Sequence, residues 1–184
     1  GGIGLTGIIL EAKIQLRSVQ SPWIYSETIP YHNLDEFFAL SDSSETDWEH
    51  TVSWIDCMNG ANAKGLFARG KLSSEHTQVE PKIKDKTFPI TPPISLVNKL
   101  SLPIFNFAYF HGNSLKKQPQ KVHYEPFFYP LDAMHEWNKM YGPKGFYQYQ
   151  SVVPKEIGKE VTQEMLNAIK KSGEGSFLAV LKTF

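Results

Sequence analysis

The sequence predicts an α+β fold, a mostly antiparallel sheet with helices packed on one face. Three observations predict it. Short segments alternate apolar and polar residues with the period of a strand. Helix-period segments with recognisable start and stop signals fall between them. Near the end of the sequence, strand, helix and strand follow one another through short links, as in a layer of helices on a sheet.

The opening glycines carry the spacing Gly2-x-Gly4-x-x-Gly7, which resembles a dinucleotide-binding turn. Such a turn needs a strand before it and a helix after it. Here no strand precedes it. Ile8, Leu10, Ala12, Ile14 and Leu16 then alternate with Glu11, Lys13, Gln15 and Arg17, the pattern of a half-buried strand. The Rossmann reading is therefore rejected.

After the break at Ser21-Pro22, Trp23 to Ile29 reads as a strand. Asn33 followed by Glu36 has capping-box spacing and predicts a short helix through Leu34, Phe37, Phe38 and Leu40. His50 to Asp56 and Lys64 to Leu72 are strand-like, with a turn at Asn59-Gly60-Ala61-Asn62 between them. Ser73 to Pro93 is polar and rich in proline, a surface excursion or loop. Leu96 to Phe110 predicts two short helical pieces around Pro103, Gly112 to Gln120 a loop, and Val122 to Tyr124 a return to the sheet. Pro130-Leu131-Asp132 leads into a helix through Met134, Trp137 and Met140 that Gly142-Pro143 ends. Gly145 to Pro154 is the most strand-like stretch. The next helix carries Val161, Met165, Ala168 and Ile169 on one face and closes at Gly173, and Ser176 to Phe184 alternates as a final strand.

The totals narrow the function classes. A sequence of 184 residues fits one domain, or one domain and a piece of another. Apolar residues at 41% and charged residues at 21% indicate a globular composition. Nineteen basic and nineteen acidic residues cancel, which argues against nucleic acid or an anionic membrane as the main partner. No apolar run is long enough to span a bilayer. The single cysteine, Cys57, excludes an internal disulfide and reads as a small buried hydrophobe. The six histidines show no metal-ligand spacing, so no metal is expected, and no Gly-x-Ser-x-Gly elbow is present.

Two strand patterns break their own rule. Gln148 and Gln150 share a face with Phe146 and Val152, and Lys182 shares one with Leu178, Val180 and Phe184. One reading is an edge strand with a snorkelling lysine. The other is a polar cavity floor, two amides and an ammonium aimed at ligand hydroxyls or an oxyanion between aromatic walls. Trp54 fits either the core or a cavity wall.

Four segments then carry a resemblance: "GGIGLTGIILEAKIQL", "SWID", "FFYPLDAMHEWNKMYGPKGFYQYQSVVP" and "GSFLAVLKTF". In this order and at these separations the chain resembles the FAD-linked oxidases of the vanillyl-alcohol-oxidase class. The resemblance is weakest from Ser73 to Lys121. It implies that residues 1–20 are the C-terminal edge of an FAD-binding domain. Residues 21–184 would form a substrate-binding cap domain, incomplete at its C-terminus. It assigns Gly4, Gly7 and Ile9 to cofactor binding. It places Trp54, Phe127, Phe128, Leu131, Met134, Gln148, Gln150, Leu178, Val180, Lys182 and Phe184 around the substrate, with Lys182 and Gln150 as catalytic residues. The implied parent enzyme uses FAD, which this segment alone is not expected to hold. It oxidises a secondary alcohol of a sugar, or of a lipid-linked pentose, to a ketone. The implied partner is an NAD(P)-dependent short-chain reductase, the second half of an epimerising pair. The implied location is cytoplasmic, extending to the membrane periphery. Three positions depart from the family pattern: Phe128 replaces a tyrosine, Val52 a serine and Met134 an aromatic residue. An aldonolactone-type flavin oxidase, and a ligand-binding α+β module without redox activity, remain alternatives.

Overall fold

The computed structural model describes residues 4–75, 86–116 and 118–183. Gly2 of the glycine motif, the centre of the 73–93 loop and the pocket assignment of Phe184 lie outside the described residues.

From residue 7 no ladder partner is found among the described residues until β1 (Trp23–Tyr31). Then follow α1 (Leu34–Ser44), β2 (His50–Ile55), a 3-10 turn at Cys57–Asn62, β3 (Gly65–Leu72) and β4 (Lys86–Thr87). Next come α2 (Ser101–Ser114), β5 (Gln120–His123), α3 (Tyr124–Phe128) and β6 (Met134–His135). A 3-10 turn at Trp137–Tyr141 leads on to α4 (Gly158–Ser172) and β7 (Val180–Leu181). The strands of the main sheet run in the order β5-β1-β3-β2-β7, every neighbouring pair antiparallel. This is the α+β architecture expected. β4 and β6 form a separate, two-stranded parallel sheet.

The helix signals work as their chemistry requires. Asn33 Oδ1 accepts from the Glu36 amide at 2.9 Å, and Glu36 Oε2 accepts from the His32 amide at 2.7 Å, so two donors at the start of α1 are satisfied reciprocally. Gly173 ends α4 in the left-handed conformation, φ 68°, and its amide reaches the Ile169 and Lys170 carbonyls.

Pairing register assigns the two faces of the main sheet. Ser53 opposes Phe67 and Leu181, and Ile29 opposes Phe67, so these residues share one face with Ile55 and Tyr31. Against that face, α1 and α4 bury Leu34, Phe37 and Leu166. The Tyr31 hydroxyl shares a 2.8 Å hydrogen bond with Ser53 Oγ inside this core, and burial pushes its pKa up. Cys57 is buried as expected, its thiol donating to the Ser176 carbonyl at 3.4 Å.

Four expectations are corrected. Helices lie on both faces and not on one: Phe110 of α2 packs with Trp54 and Leu66, on the face opposite α1 and α4. Pro103 does not split α2, because it occupies the first turn, where a missing N–H costs nothing. The helix expected through Met134, Trp137 and Met140 is instead the short β6 and a 3-10 turn. Its entry at Glu136 is left-handed, φ 57°, which breaks helical continuity. Finally, the strand patterns at 8–17 and 145–154 form no ladder among the described residues. Alternation reports a capacity to pair, and a strand exists only where a neighbouring edge supplies the backbone partners.

Candidate functional site

The second face of the main sheet carries Trp54 and Val180, and α3 brings Phe127 and Phe128 to it. Trp54 opposes Leu66 on one side and Val180 on the other, Val52 opposes Ala68, and His50 opposes Gly70. These side chains therefore stand on one surface, and two aromatic groups rise at its ends.

At one end, α3 lays Phe127 over Gly70. A Cβ at Gly70 would lie 2.5 Å from Phe127 Cζ and 2.8 Å from Ile24 Cγ2, so the ring is seated where only glycine leaves room. Phe128 stands edge-on to His50 with centroids 4.8 Å apart, and 41% of its surface remains exposed. At the other end, Trp54 is held by Leu66 and Phe110 and tilts against Tyr109 at 4.9 Å. Its indole nitrogen donates to the Phe177 carbonyl at 2.8 Å. Burial pushes the Tyr109 phenol up, keeping it a neutral donor.

From His50 to Trp54 the strand covers about 13 Å. Between the two aromatic ends lie Val52 and Ala68, both partly exposed, and Val180, 45% exposed. The result is an apolar floor between two aromatic groups.

Leu178 and Lys182 flank Val180 with the same alternation and are exposed, whereas Ala179 and Leu181 pack into the core on the far face. Other assigned residues lie elsewhere. Leu131 and Met134 are half-buried beside the small sheet, where Met134 pairs with Lys86. Gln148 and Gln150 are exposed on the unpaired segment and are not brought to the floor. That segment is anchored at its start, where Phe146 stacks on Tyr141 at 4.4 Å, and Tyr141 stacks in turn on Phe177 at 5.8 Å. Near its other end Ser151 touches Met165 of α4.

The structure adds residues that sequence reasoning passed over. His50, Tyr109 and Phe110 belong to the walls. The alternation His50-Val52-Trp54 carried the signal for His50. Nothing local marks Tyr109 and Phe110, because their place depends on which face of the sheet α2 covers.

No protein-family model matches the chain. It is 33% identical over 197 aligned residues to the decaprenylphosphoryl-beta-D-ribose oxidase of Mycolicibacterium smegmatis. The match takes in the whole of this chain and 42% of that protein, so the chain spans less than half the length of its relative. The chain is related throughout its length to that oxidase. The relation fits a segment of an FAD-linked oxidase.

The residues assigned to a flavin do not make a flavin site by themselves. Ile9 is 80% exposed, and a Cβ placed on Gly4 or Gly7 would meet nothing within 4 Å. Among the described residues, no group of three or more His, Cys, Asp or Glu side chains could hold a metal ion.

Proposed function

We propose that the parent protein is an oxidoreductase that converts a secondary alcohol of a ribose-type sugar to a ketone. This chain would supply the wall and floor of its substrate site, as most of a cap domain that follows the edge of an FAD domain at residues 1–20. The reading is carried by one observation: the relation to a decaprenylphosphoryl-beta-D-ribose oxidase coincides with a sheet face on which Val52 and Val180 stay accessible between the largely buried Trp54 and the α3 rings Phe127 and Phe128. The proposed electron acceptor is FAD, bound by parts of the parent outside this chain.

Within this reading each residue type has a task. Trp54 and Phe128 cover the apolar face of the sugar. Lys182 orients and polarises a substrate oxygen with its ammonium, Gln150 shares that task, and Gln148 holds a second hydroxyl. The two glutamines reach the site once the 145–154 segment is paired as a strand. A lipid-linked pentose as substrate and a short-chain reductase as consumer of the ketone belong to the same proposal.

The test uses the full-length parent protein. Lys182→Ala is expected to lower turnover about tenfold or more, with flavin absorbance per protein unchanged. Unchanged turnover removes Lys182 from the site. A second reading, a binding module without redox chemistry, is favoured by the open geometry around Gly4, Gly7 and Ile9. Full-length protein that purifies without flavin absorbance, yet binds a ribose phosphate, would decide for it.

A further inference from the structure

His50 brings an imidazole to the second face of the sheet, at the end that α3 covers. It opposes Gly70, and Phe127 of α3 is seated over that glycine. The imidazole stands edge-on to Phe128 with centroids 4.8 Å apart and lies 6.4 Å from the Phe127 ring. Two rings therefore fix where it sits, while it stays half-buried. Neither of its nitrogens makes a hydrogen bond among the described residues. The neighbouring carboxylate of Glu49 is already held, by Arg17 at 2.7 Å and by the Leu72 amide at 3.1 Å. A polar ring placed between aromatic groups on an apolar surface is the kind of group that orients a ligand.

A cation stands beside it. Val180 pairs with Trp54 and Leu181 with Ser53, so the same register carried one residue further sets Lys182 opposite Val52. His50 is the next residue of β2 on that face, about 7 Å along the strand from Val52. His50 and Lys182 are thus diagonal neighbours with Cα atoms about 7–8 Å apart, a gap that the lysine stem can cross. Around them the floor offers Val52 and Ala68, whose side chains have no polar atoms, and the Trp54 indole nitrogen is spent on the Phe177 carbonyl. Two donors on neighbouring strands above such a floor suit an anionic group, which can accept from both and is drawn by the ammonium's charge. A hydroxyl gains little from that charge.

We propose that His50 is a specificity-determining residue that reads an anionic substituent, a phosphate ester, on the sugar. Its ring N–H donates to a phosphate oxygen, Lys182 supplies positive charge over the same spot, and Phe128 holds the imidazole plane in place. The sugar then lies along β2 toward Trp54, with its charged end beside α3. The inference rests on reading this face as a sugar site. It adds which end of the ligand lies where, and which side chain selects it.

The test is calorimetric titration of the full-length parent protein with ribose 1-phosphate and with methyl ribofuranoside, one charged and one neutral. Wild type should bind the phosphate about tenfold or more tighter than the riboside. His50→Phe keeps a ring against Phe128 but has no N–H. It should weaken the phosphate about tenfold and leave the riboside unchanged. His50→Gln, a donor without a ring, should keep part of the preference. Wild type that binds neither probe, or binds both alike, overturns the proposal. So does His50→Phe retaining the full preference, or weakening both probes equally, which would make His50 a wall and no more. His50→Gln binding the phosphate no better than His50→Phe also overturns it, because the donor would then not be what is read. Failure of the oxidoreductase reading looks different: a parent without flavin absorbance can still prefer the phosphate, and one that oxidises the sugar can lack that preference.

Discussion

On one face of the main sheet, Ile55, Phe67 and Tyr31 meet Leu34, Phe37 and Leu166 and disappear from solvent. On the other face, α2 buries Trp54 and Leu66 at one end, while Val52 and Ala68 remain partly exposed and Val180 exposed. The covering elements account for the difference. α4 presents a strongly one-sided apolar stripe that packs Leu166 with Leu34 of α1, Ile55, Cys57 and Ala63, whereas α3 is five residues long and covers only the end that Gly70 leaves low. A sheet can therefore be held by one face and left free to receive a ligand on the other.

The sharpest way to break this contrast is truncation on each side. Phe67→Ala should cost about 3–5 kcal/mol in chemical denaturation, because it opens a cavity in the closed core. Phe128→Ala on the open face should cost less than about 1 kcal/mol and act on sugar binding. Equal losses would mean that both faces are structural. Next in size, Gly70→Ala should cost about 1–3 kcal/mol and unseat Phe127, visible as new exposure of α3 in hydrogen exchange. An unperturbed α3 would show that the ring has another resting place.

Arg69→Met probes the rim of the closed face. Arg69 holds Glu27 Oε2 through two nitrogens at 2.7 and 3.0 Å and lies 4.4 Å over the Trp48 ring, with both partners mostly buried. A loss of about 1.5–3 kcal/mol is expected, measured by urea unfolding. Tyr31→Phe should cost about 1 kcal/mol at neutral pH through the Ser53 hydrogen bond. The folded state keeps Tyr31 protonated by burial, whereas the unfolded chain releases that proton near the ordinary tyrosine pKa of about 10. The advantage of wild type over Tyr31→Phe is therefore complete below about pH 10 and shrinks as pH rises beyond it. Tyr109 and Tyr141 are pushed up in both proteins and cancel in the difference. An advantage that stays constant to high pH would place Tyr31 in contact with water. Asn33→Ala should cost about 1 kcal/mol, read by urea unfolding, through the lost cap at the start of α1.

Local chemistry was legible where it was self-sufficient. Asn33 and Glu36 announced α1, Gly173 announced the end of α4, and the alternating strands around residues 23–31, 50–55 and 65–72 all formed. What failed required a partner that local pattern does not name. Gly145 to Pro154 alternates as well as β2 does, yet no described strand lies beside it, so Gln148 and Gln150 face water. The placement of the assigned residues on the sheet was legible in the same proportion. Trp54 and Val180 follow from strand parity, and Phe127 and Phe128 from the resemblance. His50, Tyr109 and Phe110 emerge only when the register and the side covered by α2 are known.

The pairing of β7 with β2 has a kinetic consequence. Ser53 opposes Leu181 across most of the length of the chain, while β2 and β3 meet through a short turn. The β2–β3 hairpin can form early from nearby residues, but its outer edge stays a bare ladder until Val180 and Leu181 arrive. During synthesis that edge is the open seam of the molecule, and chaperones or other chains would find it first.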